Sequence, residues 1–409
     1  MTKETRLTET AYRLILIPLI ALGLLSILAT GGGGGGGGGG TVGGLTYVGN
    51  TDPTVITATN ASTLVASVLG STALTGFTGT ANNSGATSTR TLGITDLAQR
   101  LNEDFHRVLA QTRTTLSVQR FEPAAMPIDV TEDCDNINFG TIRIFGALAD
   151  NGTGTLTIVF NNCQLGGETL DGTGTFRIDV FDLLIDIPTD FTISLSLMTF
   201  RSPSLGIDIN ISGSLRSQIN IGSNTETITL NPLIGQDNST GEMIKAEPLV
   251  VVNVYDNILF PTAITSETIT GRLFDSADGF VDITTTQPLE LGTLMQAFPN
   301  AGQVKLTGAM NASVTITVLS VTLVRLEVDL DGDGGTDLTA IMKWTELGGP
   351  VGADLNDDDG DTMHNSWETE NGLDKSDATD AVGDPDTDTF TNLQEYQAGS
   401  DPNDAGSTP

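Results

Sequence analysis

Two stretches near the C-terminus place carboxylates at alternate positions, a spacing that suits a hard divalent cation. The first begins at Asp357 and the second at Asp384, 27 residues later. A twelve-residue calcium loop takes oxygen ligands from positions 1, 3, 5 and 9, a carbonyl from position 7 and a bidentate carboxylate from position 12. The predicted ligands are Asp357, Asp359, Asp361, Met363, Asn365 and Glu368 in the first loop and Asp384, Asp386, Asp388, Phe390, Asn392 and Glu395 in the second.

The same offset continues beyond the two loops. Gly372, Asp374 and Asp377 recur as Gly399, Asp401 and Asp404. A disordered acidic tail, the alternative for a block of like charges, has no reason to keep such register. We therefore expect two calcium sites, each followed by a short helix, at 366–370 and 393–398.

Both loops depart from the usual pattern at position 6, where the chain turns with positive φ and glycine is the rule. Thr362 and Thr389 stand there. Either the turn is adjusted or calcium is held loosely, because a β-branched residue at positive φ is strained. Neither loop has a convincing incoming helix, since 348–355 and 378–383 are rich in Gly, Pro and Asp.

The pattern D-x-D-x-D-x-x-x-N-x-x-E, with Gly372-Leu373-Asp374 after the first loop and Gly399-Ser400-Asp401-Pro402 after the second, resembles the thrombospondin type 3-like calcium repeats of exported bacterial proteins. The resemblance covers residues 354–404. It implies an EF-hand-like, calcium-stabilised module that stiffens or spaces a surface protein. A dockerin-like module is the alternative, but its exiting helices are longer than the glycines at 372 and 399 permit.

A third acidic loop lies between two expected strands, 321–328 and 338–344. Position 12 is Ala340, so the bidentate ligand is missing. Turn chemistry alone explains Asp and Gly in a hairpin. A third calcium site is therefore the weaker prediction, and its ligands would be Asp329, Asp331, Asp333 and Asp337.

The negative net charge of the chain limits the kinds of molecule that we expect it to bind. The formal charge is −33 with a sequence pI near 4.1, and 21 acids against two lysines from residue 329 onward account for −19 of it. Nucleic acids and anionic membrane surfaces both select for Lys and Arg. Calcium is the partner that this charge favours, and no nucleic-acid partner is expected.

The N-terminus has the organisation of an export signal. Three basic residues precede an uncharged run at 14–29, which is short for a membrane-spanning helix. We expect a signal peptide at 1–30, cleaved near Ala29 or Thr30; membrane contact would require it to stay as an uncleaved anchor. Thr30 occupies the place of the lipidated cysteine in a lipoprotein box, so no lipidation is expected.

A glycine run at 31–40 follows, and 31–44 is expected to be a flexible tether. Such a run behind a signal resembles uncharacterised β-rich bacterial envelope proteins. The expected location is the periplasm, the cell surface or the extracellular space.

The two cysteines, Cys134 and Cys163, fit an oxidising compartment. Their midpoint falls on the turn-forming residues 149–152, so an antiparallel hairpin would bring them opposite each other. A disulfide is predicted; two buried free thiols are the alternative.

The body of the chain changes period along its length. Residues 45–120 are expected to be a helical and irregular segment, with helices from Asn60 to Gly70 and over 95–111. From 136 to 344 apolar and polar residues alternate, as in 191–197, which is typical of antiparallel strands, and the β domain is expected to span 121–347. Further strands are expected at 155–160, 174–181, 207–212, 226–230, 280–284, 304–308, 314–319, 321–328 and 338–344.

The predicted fold is mainly β: a large antiparallel meander sheet, barrel-like or a sandwich, with one or two N-terminal helices and the calcium-loop tail. A transmembrane barrel has alternating strands too, but the varied strand lengths and an aromatic content of 5% argue against it.

Catalytic motifs are scarce. Neither G-x-S-x-G nor H-E-x-x-H occurs, and the two histidines are His106 on the second expected helix and His364 at loop position 8, expected to point outward. We therefore expect a non-enzymatic calcium-binding protein. The alternatives are a carbohydrate- or partner-binding β domain and a carboxylate-dependent hydrolase, whose paired acids sequence cannot reveal.

Overall fold

The computed structural model describes the chain from residue 41 with gaps: 41–42, 44–69, 126–134, 140–149, 151–165, 168–185, 187–203, 207–293, 298–344, 346–347 and 353–409. The predicted signal peptide, the glycine run and the helix at 95–111 with His106 lie outside these ranges. Among the helices within them, none has the length and apolar character that crossing a bilayer requires.

One antiparallel sheet of 14 strands dominates the fold, and its strands follow each other in space in chain order. A two-stranded hairpin, β1 (Thr41–Val42) and β2 (Leu45–Thr46), precedes it. The strands of the large sheet are β3 (Met126–Asp133), β4 (Thr141–Leu148), β5 (Gly154–Leu165), β6 (Glu168–Asp182), β7 (Ile187–Ser202), β8 (Ile207–Asn220), β9 (Thr225–Asp237), β10 (Met243–Tyr255), β11 (Ile264–Asp275), β12 (Gly279–Leu291), β13 (Ala301–Thr307), β14 (Ser313–Val318), β15 (Leu323–Asp329) and β16 (Leu338–Lys343).

The expected antiparallel meander is confirmed, and its form is now specified. β3 and β16 are the two edges and do not pair with each other, so the sheet is open and is not a closed barrel. Each hairpin connection keeps neighbouring strands adjacent, which is what short Gly- and Asp-rich turns favour.

Alternation along the strands creates the core. In β7, Phe191, Ile193 and Leu195 are buried, while Thr192 and Ser194 between them are half-buried. Similar alternation recurs in most strands of the sheet, and most of the buried side chains form one continuous cluster. Each fully buried Leu, Ile or Phe contributes roughly 1.5–3 kcal/mol relative to an exposed one.

The expected set lacked β3 and two long strands, β10 and β11. β10 contains Pro248 and the apolar run 249–252, so it does not alternate cleanly. The proline lies at a register shift between β10 and β11, where a missing N–H costs no ladder bond. Gly271 faces it with a φ of 143°, and a Cβ there would lie 2.0 Å from the Pro248 carbonyl oxygen.

Helix α1 (Ala61–Leu69) confirms the first predicted helix. Asn60 begins it, with its side-chain oxygen accepting from the amide of Thr57. Leu64, Val65 and Val68 are buried in the core of the sheet. The helix also holds the start of the C-terminal segment, because the amide of Ala353 donates to the Ser62 hydroxyl at 2.9 Å.

Cys134 and Cys163 form the predicted disulfide, with their Cα atoms 5.6 Å apart. The proposed hairpin was only half correct. The turn at 149–152 exists, but it joins β4 to β5, whereas Cys134 follows β3. The bond therefore links two strands that both pair with β4, and it fastens one edge of the sheet.

Candidate metal centre

Residues 354–404, called here the C-terminal module, pack beside the last strand of the sheet. A small cluster of buried side chains holds the module together, and Ile341 of β16 joins it; we call these the docking cluster. The amide of Ile341, on the open side of the edge strand, donates to the Tyr396 hydroxyl at 2.9 Å. The docking cluster consists of four buried residues and three partly buried ones packed against them: Met363, Trp367, Ala381 and Tyr396, with Ile341, Leu373 and Leu393.

Two short helices follow the acidic loops, as expected. α2 is Asn365–Asn371 and α3 is Asn392–Ala398. Gly372 and Gly399 end them in the left-handed conformation, with φ of 76° and 72°. That conformation carries no steric penalty for glycine.

The first residue of each loop closes the turn through its carboxylate. Asp357 accepts from the amides of Gly360 at 2.7 Å and Thr362 at 3.0 Å. Asp384 accepts from the amide of Thr389 at 3.1 Å. Thr362 and Thr389 have φ of 80° and 87°. The turn is therefore not adjusted for threonine; the β-branched residue occupies the strained conformation.

The third and fifth residues of each loop use only one carboxylate oxygen within the protein. Oδ1 of Asp361 accepts from the Met363 amide, and Oδ1 of Asp388 accepts from the Phe390 amide, both at 2.8 Å. The other oxygen is buried and has no hydrogen-bond partner. This second oxygen is Oδ2 of Asp359, Asp361, Asp386 and Asp388.

The twelfth residue of each loop is more exceptional. Glu368 and Glu395 are each 0% exposed, and none of their four carboxylate oxygens has a hydrogen-bond partner. Burying an unpaired carboxylate costs several kcal/mol. A divalent cation bound between these oxygens would remove that cost, so the residues present fit calcium.

The electrostatics agree with this geometry. Burial, with the charges of Asp361 and Asp359 added, raises the pKa of Glu368 to about 7. Burial and the neighbouring aspartates also raise the pKa of Glu395. Each loop therefore concentrates negative charge that no side chain of the described residues neutralises from within the loop.

Positions 7 and 9 show how the loops are built. The Met363 side chain is fully buried in the docking cluster, so the ligand this position offers is its carbonyl. Asn365 is already engaged, because its oxygen accepts from the Asp358 amide at 3.1 Å. Asn392 donates to the Asp380 carbonyl at 2.8 Å, and its own oxygen has no partner.

The outward orientation expected of His364 is wrong. The side chain is 4% exposed, and its Nδ1 accepts from the Trp367 amide to cap α2. The ring lies edge-on to Tyr396 at 5.6 Å between centroids. Burial lowers the pKa of His364 to about 4, so the imidazole is neutral at ordinary pH.

The third predicted site is brought together only in part. Carboxylate oxygens of Asp329, Asp331 and Asp333 lie within 4.8 Å of one another. Asp337 is outside that group and accepts from the Leu330 amide at 2.7 Å. Asp329 accepts from the amides of Gly332 and Gly334, which is ordinary turn chemistry. No orphaned buried oxygen marks this loop among the described residues.

One acidic residue escaped the sequence interpretation. Asp380 lies between the two loops, yet one of its carboxylate oxygens is within 4.8 Å of oxygens of Asp361 and Glu368. The repeat gives no hint of it, since the residue 27 positions later is Ser407. Burial of its Oδ1 without a partner is what reveals it.

Comparisons with protein-family models, with curated proteins and with solved structures find no match to this chain.

Proposed function

We propose that this chain is an exported, non-enzymatic calcium-binding protein in which two calcium ions order the C-terminal module against the edge of the sheet. The observation that carries the proposal is the full burial of Glu368 and Glu395 without any hydrogen-bond partner. A buried carboxylate without a cation, a donor or a proton is a costly arrangement. Both loops repeat it at the same position.

The ligand chemistry favours calcium among common cations. All the candidate ligands are oxygens, and a bidentate glutamate suits the larger, seven- to eight-coordinate ion better than magnesium. Extracellular modules of this kind bind at about 10⁻⁴ to 10⁻³ M. The strained Thr362 and Thr389 favour the weak end of that range.

Two further features support export. The disulfide between Cys134 and Cys163 favours an oxidising compartment. The basic and apolar start of the chain has the order of a signal peptide. Millimolar calcium outside the cell would keep weak sites occupied, so the module would act as a permanent structural element and not as a sensor.

The buried glutamates inside the sheet give little support to the alternative of a carboxylate-dependent hydrolase. Glu226 and Glu267 both pair in register with Asn253 of β10, but they are only 7% and 2% exposed. Glu226 accepts from Ser217 and Tyr255 hydroxyls and is held in place. Both carboxylates are buried within the sheet, whereas the orphaned oxygens of the loops directly favour a cation.

The test is a calcium titration of the full chain by calorimetry, with Glu368→Gln and Glu395→Gln singly and together. Each change removes one bidentate ligand and should abolish most of one site's affinity. Glu370→Gln is the matched control, because Glu370 lies on α2 and is exposed. Absence of calcium-dependent heat at 10 mM, about ten times the weak limit, would overturn the assignment.

A further inference from the structure

The first loop has an acidic neighbour that the second loop lacks. Asp380 opens a 3-10 turn, Asp380–Val382, in the connection between the loops. Its Oδ2 accepts from the Asp374 amide at 2.9 Å, while its Oδ1 is buried and has no partner. The carboxylate is thus anchored through Oδ2, and one of its oxygens lies within 4.8 Å of carboxylate oxygens of Asp361 and Glu368.

The second repeat provides an internal comparison. The amide of Asp401 donates to the Ser407 hydroxyl at 3.0 Å, as the amide of Asp374 does to Asp380. The backbone is equivalent as well: the amides of Asp380 and Ser407 donate to the carbonyls of residues 377 and 404, at 3.0 and 2.7 Å. The backbone around Asp380 and the backbone around Ser407 thus make the same hydrogen bonds. The difference is that serine lacks the second oxygen that the aspartate carboxylate has.

We propose that Asp380 is an additional calcium ligand of the first loop, supplied from outside it, and that it makes the first site the tighter of the two. This inference rests on the proposed function. The carboxylates available to the first cation are Asp357, Asp359, Asp361, Glu368 and Asp380, and those available to the second are Asp384, Asp386, Asp388 and Glu395.

A role of Asp380 as a calcium ligand explains its second carboxylate oxygen, whereas a role in forming the turn does not. The turn needs only one acceptor for the Asp374 amide, and Ser407 shows that a hydroxyl suffices. A second, buried carboxylate oxygen beside fully buried Glu368 adds repulsion unless a cation lies between them. Calcium affinity in such loops rises with the number of charged ligands.

The decisive variant is Asp380→Ser, which copies the second repeat and keeps an acceptor for the Asp374 amide. It is measured on the full chain by calcium calorimetry in a Glu395→Gln background, so that only the first site binds. We expect the affinity to fall on the order of tenfold, since one of five carboxylates is lost. Asp380→Asn, nearly isosteric with aspartate, should give a similar loss and guards against a folding defect in the serine variant.

Ser407→Ala in a Glu368→Gln background is the matched control, because it removes the equivalent turn hydrogen bond where no ligand is involved. It should change the second site's affinity by less than about twofold, as expected for an exposed turn contact. Equal losses in Ser407→Ala and Asp380→Ser, or no loss in Asp380→Ser, would overturn the ligand role while leaving two calcium sites. Failure of the parent chain to bind calcium would overturn the proposed function and this inference together.

Discussion

At the scale of single residues, the two threonines at loop position 6 are the clearest strain in the described structure. Thr362 and Thr389 sit at φ of 80° and 87°, where a β-branched side chain is disfavoured. Strained backbone of this kind costs about 1–3 kcal/mol and persists where the surroundings over-determine it. In each loop the aspartate at position 1 supplies that constraint by accepting from the threonine amide.

Relieving the strain should tighten calcium binding. Thr362→Gly and Thr389→Gly permit the left-handed turn freely, and we expect each to raise its own site's affinity about three- to tenfold, equivalent to about 0.7–1.4 kcal/mol. Thr362→Ala is the control, because it keeps a Cβ and so most of the penalty. Calorimetry compares the three. A glycine variant that binds no better than the alanine variant would show that threonine is unstrained in the bound loop.

Glu267 predicts a pH dependence that is separate from the calcium sites. Burial raises its pKa to about 8, against about 4.3 in an unfolded chain. Between these values the folded state binds more protons, so the free energy of unfolding falls as pH rises, by up to about 1.4 kcal/mol per unit. This contribution is full below about pH 4.3 and is lost by about pH 8.

Replacing Glu267 by glutamine removes the titrating proton. Relative to the wild-type chain, Glu267→Gln should therefore become progressively more stable as pH rises from about 5 to 8 in urea denaturation. Glu290→Gln, at an exposed position on β12, should show no such trend. A difference between Glu267→Gln and wild type that does not vary with pH would contradict a buried, protonated carboxyl.

At the scale of elements, the sequence predicted what depends on local pattern. The alternation of 191–197 predicted β7, and Gly372 and Gly399 predicted the helix ends. The sequence did not predict the features that depend on contacts between elements. β10 was missed because Pro248 is tolerated in it only through the irregular pairing with β11. Asp380 was missed because its approach to the first loop depends on how the connection between the two loops folds back.

For the disulfide too, the sequence predicted one part and contacts between strands determine the other. Cysteine content predicted the bond, but the strand order placed it: Cys134 lies beyond β3, two strands from Cys163 in β5. In the chain-entropy model, closing a loop with a sequence separation of 29 contributes about 3–4 kcal/mol.

Removing both cysteines should lower the free energy of unfolding by about this amount. Cys134→Ser combined with Cys163→Ser is compared with the oxidised chain by urea denaturation, and the double variant must be insensitive to reductant. A loss below about 1 kcal/mol would mean that the reduced chain keeps this edge of the sheet ordered without the bond.

At the scale of the whole molecule, the open sheet of 14 strands has two edge strands, β3 and β16, and an unprotected edge strand invites wrong pairing. The disulfide fastens the β3 side. On the β16 side, Tyr396 accepts from the free amide of Ile341, and Gly399 lies against Leu323 of β15. The C-terminal module thus covers an edge as well as carrying the acidic loops.

With the proposed calcium ions bound, this arrangement would link calcium to the integrity of the sheet edge. α3 follows directly from the second loop, so Tyr396 comes immediately after Glu395, the proposed calcium ligand. If calcium is bound as proposed, its removal should leave the buried carboxylates repelling one another, so that the module loosens and the Ile341 amide loses its partner. We expect hydrogen exchange on the full chain to accelerate in 338–343 and 354–404 when calcium is chelated, while the central strands β8 and β9 stay protected.

Two variants distinguish the effect of calcium on hydrogen exchange from the effect of side-chain packing. Tyr396→Phe removes the hydroxyl alone and should accelerate exchange at Ile341 even with calcium present. Glu395→Gln should reproduce the effect of chelation on β16 without any chelator, whereas Glu370→Gln should not. Protection of β16 that is indifferent to calcium would mean that the module covers the edge by packing alone, through Trp367 and Tyr396, and that the ions order only their own loops.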